Sequence, residues 1–145
     1  MKIRVRLPVP LTTAIETVWA TPVAPGAAFA VLDNIPAMTG VAACGDVVRI
    51  GPVAGREADW LETVSRHEDG HALLVFKPTS RETQLRALLS LTANGCRVER
   101  MTATLVALMV PKRAERTVVR MRRAWPDAVE RVEWFRRPSA SSPDD

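Results

Sequence analysis

Three short clusters gather the groups that could do chemistry: Glu16-Thr-Val-Trp-Ala20, Asp33-Asn-Ile-Pro36 and Gly45-Asp-Val-Val48. Together with His71 they supply carboxylates, a carboxamide, an indole and an imidazole. If Glu16, Trp19, Asp33, Asn34, Asp46 and His71 lined one cleft, carboxylates beside a histidine could do general acid–base work once burial raised a carboxyl pKa. The same residues have a structural reading, and it takes precedence. Trp19 packs in a barrel core, Asp33 and Asn34 cap a turn through their own backbone, Gly45 permits a tight turn, and Asp46 hydrogen-bonds its neck. On this reading Glu16 is the most exposed of the set and no catalytic residue is assigned.

A second set is basic. Arg116, Arg120 and Arg123 stand at i, i+4 and i+7 on a predicted helix, with Lys112, Arg113 and Arg122 beside them. Arg113, Arg116, Arg120 and Arg123 are the candidate ridge for an anionic partner, either phosphates or an acidic protein. The alternative is a solvated face with helical ion pairs through Glu115 and Glu130. Charge is segregated along the chain. Residues 1–72 carry 6 basic and 8 acidic groups, whereas residues 73–145 carry 14 and 8. Such asymmetry can guide an acidic partner toward the second half, and it can equally steer one half of the chain against the other. Nucleic-acid binding is not expected. No aromatics interleave the arginines, and the central strands carry Leu, Val, Ala and Met where base stacking needs Phe or Tyr.

Metal and cofactor chemistry find little support. His67 and His71 are four apart, but Asp69-Gly70 is a turn signal that breaks the helical geometry a metal pair needs. Cys44 and Cys96 read as buried thiols. No phosphate loop, dinucleotide loop or nucleophile elbow is present, so no metal and no cofactor are expected. Of the 145 residues, 47% are hydrophobic and 25% charged, which excludes a disordered chain, a collagen and a disulfide scaffold. No apolar run approaches the roughly 20 residues that span a bilayer, and the start lacks an apolar signal segment, so a cytoplasmic location is expected.

These residues must be positioned by strands in the first half. Residues 2–9 alternate strictly, with Ile3, Val5 and Leu7 against Lys2, Arg4 and Arg6. Further strands are predicted at 15–20, 28–32, 47–50 and, with a short helix as the alternative, 58–66. Their spacing suggests a small β-barrel or curled antiparallel sheet over residues 1–70. Asp69-Gly70 is then a hairpin turn pairing strand 60–66 with the next strand.

Residues 71–137 read as a ferredoxin-like β-α-β-β-α-β unit, making the chain α+β. Ala72–Phe76 and 104–110 are continuous apolar runs, predicted to be adjacent, parallel and central. Strands 96–101 and 129–135 carry charges and are predicted at the edges. Thr79, three before Glu82, marks a helix start, with Leu85, Leu88, Leu89 and Thr92 on one face. A second helix, 113–125, sets Ala114, Val118, Met121 and Trp125 on its apolar stripe. The tail, 138–145, is predicted to be disordered. The sheet face away from the helices needs cover, from the barrel or from a second copy; barrel cover and a monomer are favoured.

The three clusters, in this order and spacing, resemble a bacterial domain-of-unknown-function family, DUF4265, over residues 2–110 and most closely over 16–48. Ala37 departs from the large aromatic residue the resemblance leads one to expect after Ile35-Pro36. The resemblance implies kinship and no activity. The leading expectation is a non-catalytic bacterial accessory or regulatory protein that binds a protein or a small ligand. The alternatives are a small enzyme or substrate-binding subunit with a cleft between the sub-domains, and nucleic-acid binding through the ridge.

Overall fold

The alternation of Ile3, Val5 and Leu7 with basic residues becomes β1 (Ile3–Pro8), its apolar side chains buried and its basic ones in solvent, in a computed structural model that describes residues 1–139. β2 (Ile15–Pro22), β3 (Phe29–Leu32), β4 (Val47–Ile50) and β5 (Glu57–Ser65) follow as a meander, each antiparallel to the one before. An odd number of alternating strands leaves the first and last pointing the same way. β1 therefore closes the barrel by pairing in parallel with β5. Closure removes the free edges that a curled sheet would leave. Ile3, Val5, Leu7, Val18, Ala20, Leu32, Val48 and Ile50 are among the side chains that fill the interior.

Two expectations fail in this unit, which runs from Met1 to His67. Trp19 is not in the barrel core. It stands opposite Arg4 in the β1/β2 register and is 45% exposed, while Val18 and Ala20 point inward. Period-two geometry moves a whole side-chain set to one face at once. A five-stranded barrel is narrow, and Val and Ala fit where an indole does not. Nor does Asp69-Gly70 form a hairpin between β5 and the following strand. Both edges of β5 are already taken, by β1 and β4, and the next strand belongs to a different sheet.

The second unit starts at Glu68. It contains β6 (Gly70–Phe76), α1 (Arg81–Ala93), β7 (Arg97–Arg100), β8 (Leu105–Val110), a broken helical segment, and β9 (Val129–Arg136). The broken segment is a 3-10 turn over Lys112–Ala114, then α2 (Glu115–Val119) and α3 (Met121–Ala124). The strand order is β7-β8-β6-β9, with the two apolar strands central and the two charged ones at the edges. β6 pairs with β8 antiparallel, which corrects the parallel expectation. The α1 crossover returns the chain so that β7 runs like β6, and the β7/β8 hairpin then reverses it. β8, inserted between them, opposes both. On the helix side, Ala72, Leu74, Phe76, Val106 and Leu108 pack with Leu88, Leu91, Val118 and Met121.

Local details correct other expectations. Ser80 rather than Thr79 caps α1, its Oγ accepting the Thr83 N–H at 3.2 Å. The buried face of α1 is Gln84, Ala87, Leu88 and Leu91, and Leu85 and Leu89 stay exposed. Leucines surround this helix, so apolar spacing alone does not select its inner face. Gly70 opens β6 rather than a turn; a Cβ there would lie 2.7 Å from Pro138 Cδ and 2.9 Å from the Arg136 carbonyl oxygen. Close approach of backbone is what requires glycine. Pro138 is buried, and the Ser139 N–H donates to the Glu68 carbonyl at 2.9 Å, so the expected disordered tail is ordered at its start. The rest of that tail, residues 140–145, lies outside the described residues. Among the described residues no helix is long and apolar enough to cross a membrane.

Burial pushes the Cys96 thiol up to about 11 from 9.0; Asp69 adds to the effect and Arg113 opposes it. A thiol with a raised folded value keeps its proton after the unfolded chain has lost its own. Its stabilising contribution is complete below pH 9.0 and is lost as the pH climbs to about 11. The melting temperature of the wild type is therefore expected to fall relative to that of Cys96→Ala across this window. Parallel curves would show that the thiol titrates alike in both states.

Candidate functional site

The segment 33–46, between β3 and β4, has no strand or helix of its own, yet Ile35, Ala37, Thr39, Ala42, Ala43, Cys44 and Asp46 are buried. Buried backbone groups need partners, and this segment has no ladder to supply them. The residues that looked like candidates for chemistry supply them instead. Glu16 projects from β2 on the same face as Val18 and Ala20. Its Oε2 accepts the Ala37 N–H at 2.6 Å and its Oε1 the Met38 N–H at 2.8 Å. It is half-buried and doubly bonded, not the exposed member of the set.

Asn34 Oδ1 accepts the Trp19 N–H at 2.8 Å, and the Asp33 N–H donates to the Trp19 carbonyl at 2.8 Å. Asp33 Oδ2 accepts the Thr21 hydroxyl at 2.8 Å and lies 3.6 Å from Lys2 Nζ. The pair thus reaches across to β2, where a cap on its own turn was expected. Asp46 is wholly buried; Oδ2 accepts the Ala43 N–H at 2.9 Å and Oδ1 the His67 N–H at 2.7 Å. Gly45 has φ 85°, and a Cβ there would lie 2.7 Å from His67 Cδ2, so only glycine serves.

Glu16, Trp19, Asp33, Asn34 and Asp46 are therefore brought together around one segment, as a lock on its backbone. A general acid or base needs a lone pair or a proton aimed at substrate, whereas both oxygens of Glu16 and of Asp46 face main-chain donors. His71 lies in the second unit, buried in β6 with its ring 4.7 Å from that of Phe135. Two threonines escaped the sequence reading. The Thr39 hydroxyl donates to the Pro8 carbonyl at 2.7 Å, and the Thr63 hydroxyl to the Val41 carbonyl at 2.7 Å. Their partners are backbone atoms, so no spacing of residue types announces them.

The basic candidates behave differently. Ala114, Val118 and Met121 take the core side of the broken helix and leave Arg116, Arg120 and Arg123 in solvent. The break falls at Arg120 (φ −91°, ψ 0°), yet the Arg120 N–H still reaches the Arg116 carbonyl at 3.2 Å. Among the described residues Arg116, Arg120, Arg122 and Arg123 have no carboxylate partner. Arg113 leaves the row; its guanidinium lies against Gly95, at the α1–β7 turn.

Beside the row is a groove of about 280 Å³ lined by Val119, Arg122, Arg131, Val132, Trp134 and Arg137. The Arg137 guanidinium stands 4.4 Å over the Trp134 ring and 3.4 Å from Glu115 Oε2. The hydrogen bond from Lys112 holds the Glu115 carboxyl below the ordinary carboxylate range, and Arg137 adds to this. Glu133 accepts from Arg131 Nε at 2.6 Å and raises the Arg131 pKa above its usual value. The sequence reading found no aromatic among the arginines. Trp134 is one, and its i+2 spacing from Val132, which puts both on one face of β9, is the signal that could have placed it.

Asp46→Asn tests the lock. An amide keeps one acceptor but turns an NH2 group toward a buried N–H. The substitution is expected to cost about 2–3 kcal/mol and to speed amide exchange at Ala43 and His67. A loss below about 0.5 kcal/mol would show that the segment does not depend on this carboxylate.

A solved structure titled "Novel crystal structure of a hypothetical protein from Neisseria gonorrhoeae" matches with a TM-score of 0.64 at 12% identity, covering 97% of this chain and 98% of that one. At this identity the likeness is one of fold. No curated protein matches the chain. The sequence profile of Domain of unknown function (DUF4265) matches residues 16–122, from the carboxylate that holds Ala37 and Met38 to an arginine of the exposed row. The chain belongs to the DUF4265 family.

Proposed function

We propose that this protein is a non-catalytic accessory or regulatory protein, acting as a monomer in the bacterial cytoplasm, that binds an acidic protein partner through residues 112–137. One observation carries the reading: four neighbouring arginines, Arg116, Arg120, Arg122 and Arg123, are exposed without a carboxylate partner among the described residues. Segment 112–137 holds nine basic and four acidic residues. Three of the four acids are engaged locally, Glu115 by Lys112 and Arg137, and Glu130 and Glu133 by Arg131. The surplus positive charge is free to steer an anionic surface. Support for a binding role over catalysis comes from the acidic cluster, whose oxygens hold backbone.

Poly-L-glutamate and a random-sequence DNA duplex serve as probes. Wild type is expected to bind polyglutamate with an affinity that falls steeply with salt. The triple variant Arg116→Gln, Arg120→Gln, Arg123→Gln should lose at least about tenfold in affinity, or about 1.4 kcal/mol, with its melting temperature nearly unchanged. Equal binding by the variant would remove the arginine row from the reading. Sub-micromolar affinity for the duplex at physiological salt would replace the acidic protein with a nucleic acid.

A further inference from the structure

We infer that the acidic partner binds as an extended strand, added to the free edge of β9, with alternate side chains entering the groove beside it. The inference rests on the proposed acidic partner and names its conformation and its seat. β9 is the last strand in the order β7-β8-β6-β9, so among the described residues only one of its sides is paired, with β6. It is the longer of the two edges, Val129–Arg136 against Arg97–Arg100. Glu130, Arg131 and Glu133 are exposed, and no described strand pairs with this side of β9. An open edge presents N–H and C=O groups in the spacing that a further strand matches.

The groove lies where the side chains of such a strand would fall. Val132 and Trp134 project from β9 to the helix side, where they pack against the core, and Val119 of α2 and Arg122 of α3 form the opposing wall. Its lining combines the apolar Val119, Val132 and Trp134 with the charged Arg122, Arg131 and Arg137. A volume of about 280 Å³ suits one or two side chains rather than a folded surface. Main-chain pairing would supply affinity, and an apolar side chain flanked by carboxylates would supply fit. Charge also decides between occupants. A second copy pairing β9 with β9 would bring two surfaces of nine basic and four acidic residues together, whereas an acidic strand meets its complement.

The test uses the full chain and a short capped peptide alternating Glu and Val, beside the same peptide methylated at every backbone nitrogen. Methylation leaves charge and side chains in place and removes the donors that strand pairing needs. The expected result is binding of the first peptide at least about tenfold tighter than the second, with amide-exchange protection gained in 130–135. Equal binding of both peptides, with polyglutamate also bound, would overturn strand addition and leave the acidic-partner reading standing. Failure of both peptides and of polyglutamate would overturn both. Protection of 130–135 in the peptide-free protein, rising with its concentration alongside a dimer in sedimentation, would assign the edge to a second copy and overturn the inference.

Discussion

Buried main-chain donors on a segment without secondary structure set the terms for the first unit. Between β3 and β4 the chain has no ladder, yet it carries Ile35, Ala37, Thr39, Ala42 and Ala43 out of water. Each unmet N–H there costs about as much as a lost hydrogen bond. Carboxylates are the strongest acceptors a side chain offers: Glu16 takes two of those donors, and Asp46 takes one of them together with the His67 N–H that follows β5. Asn34, Asp33 and Thr39 extend the same arrangement to β2 and β1. The barrel supplies a closed frame, and these polar side chains fasten an irregular length of chain to it.

That constraint bears on function. The residue types that most suggest an active site are engaged with backbone, and an exchange of Asp46 for Asn would be felt in folding. The second unit has the opposite balance. Its sheet and helices are held by apolar packing, and its arginines are largely surplus to that packing. An exposed guanidinium is tolerated easily, but four close together repel one another unless an anion or solvent offsets them. Among the described residues, the broken helix thus gathers four guanidinium groups that no carboxylate meets, beside the edge strand β9.

Much of this was legible in the residues. Strict alternation in 2–9 and unbroken apolar runs at 72–76 and 104–110 are period signals, and both the barrel strand and the central strands follow from them. Charge on 97–100 and 129–136 marked the edges because a strand buried on both faces cannot carry it. Three features were hidden. Trp19 looked like core because indoles usually are, and the barrel's small radius reverses that choice. Gly70 looked like a turn because Asp-Gly usually is, and its reason is the nearness of Pro138 and Arg136, distant in sequence. The antiparallel direction of β8 against β6 depends on the whole path of the chain, not on either strand. At the site, residue types identified Glu16, Asp33, Asn34 and Asp46 as a group but not their task. A carboxylate's partner can be any backbone N–H, and sequence does not mark which one comes near. Trp134 beside Arg137 required the fold, since the contact depends on which face of β9 meets the helices.

The division between a polar lock in the first unit and the anion-binding surface proposed for the second can be tested in one titration. Amide chemical shifts of the wild-type chain would be followed residue by residue as poly-L-glutamate is added at low salt. The account predicts shift changes concentrated in 112–137, with residues 16–46 unmoved. Changes concentrated at Glu16, Asn34 and Asp46 and the segment they hold, with 112–137 silent, would contradict it.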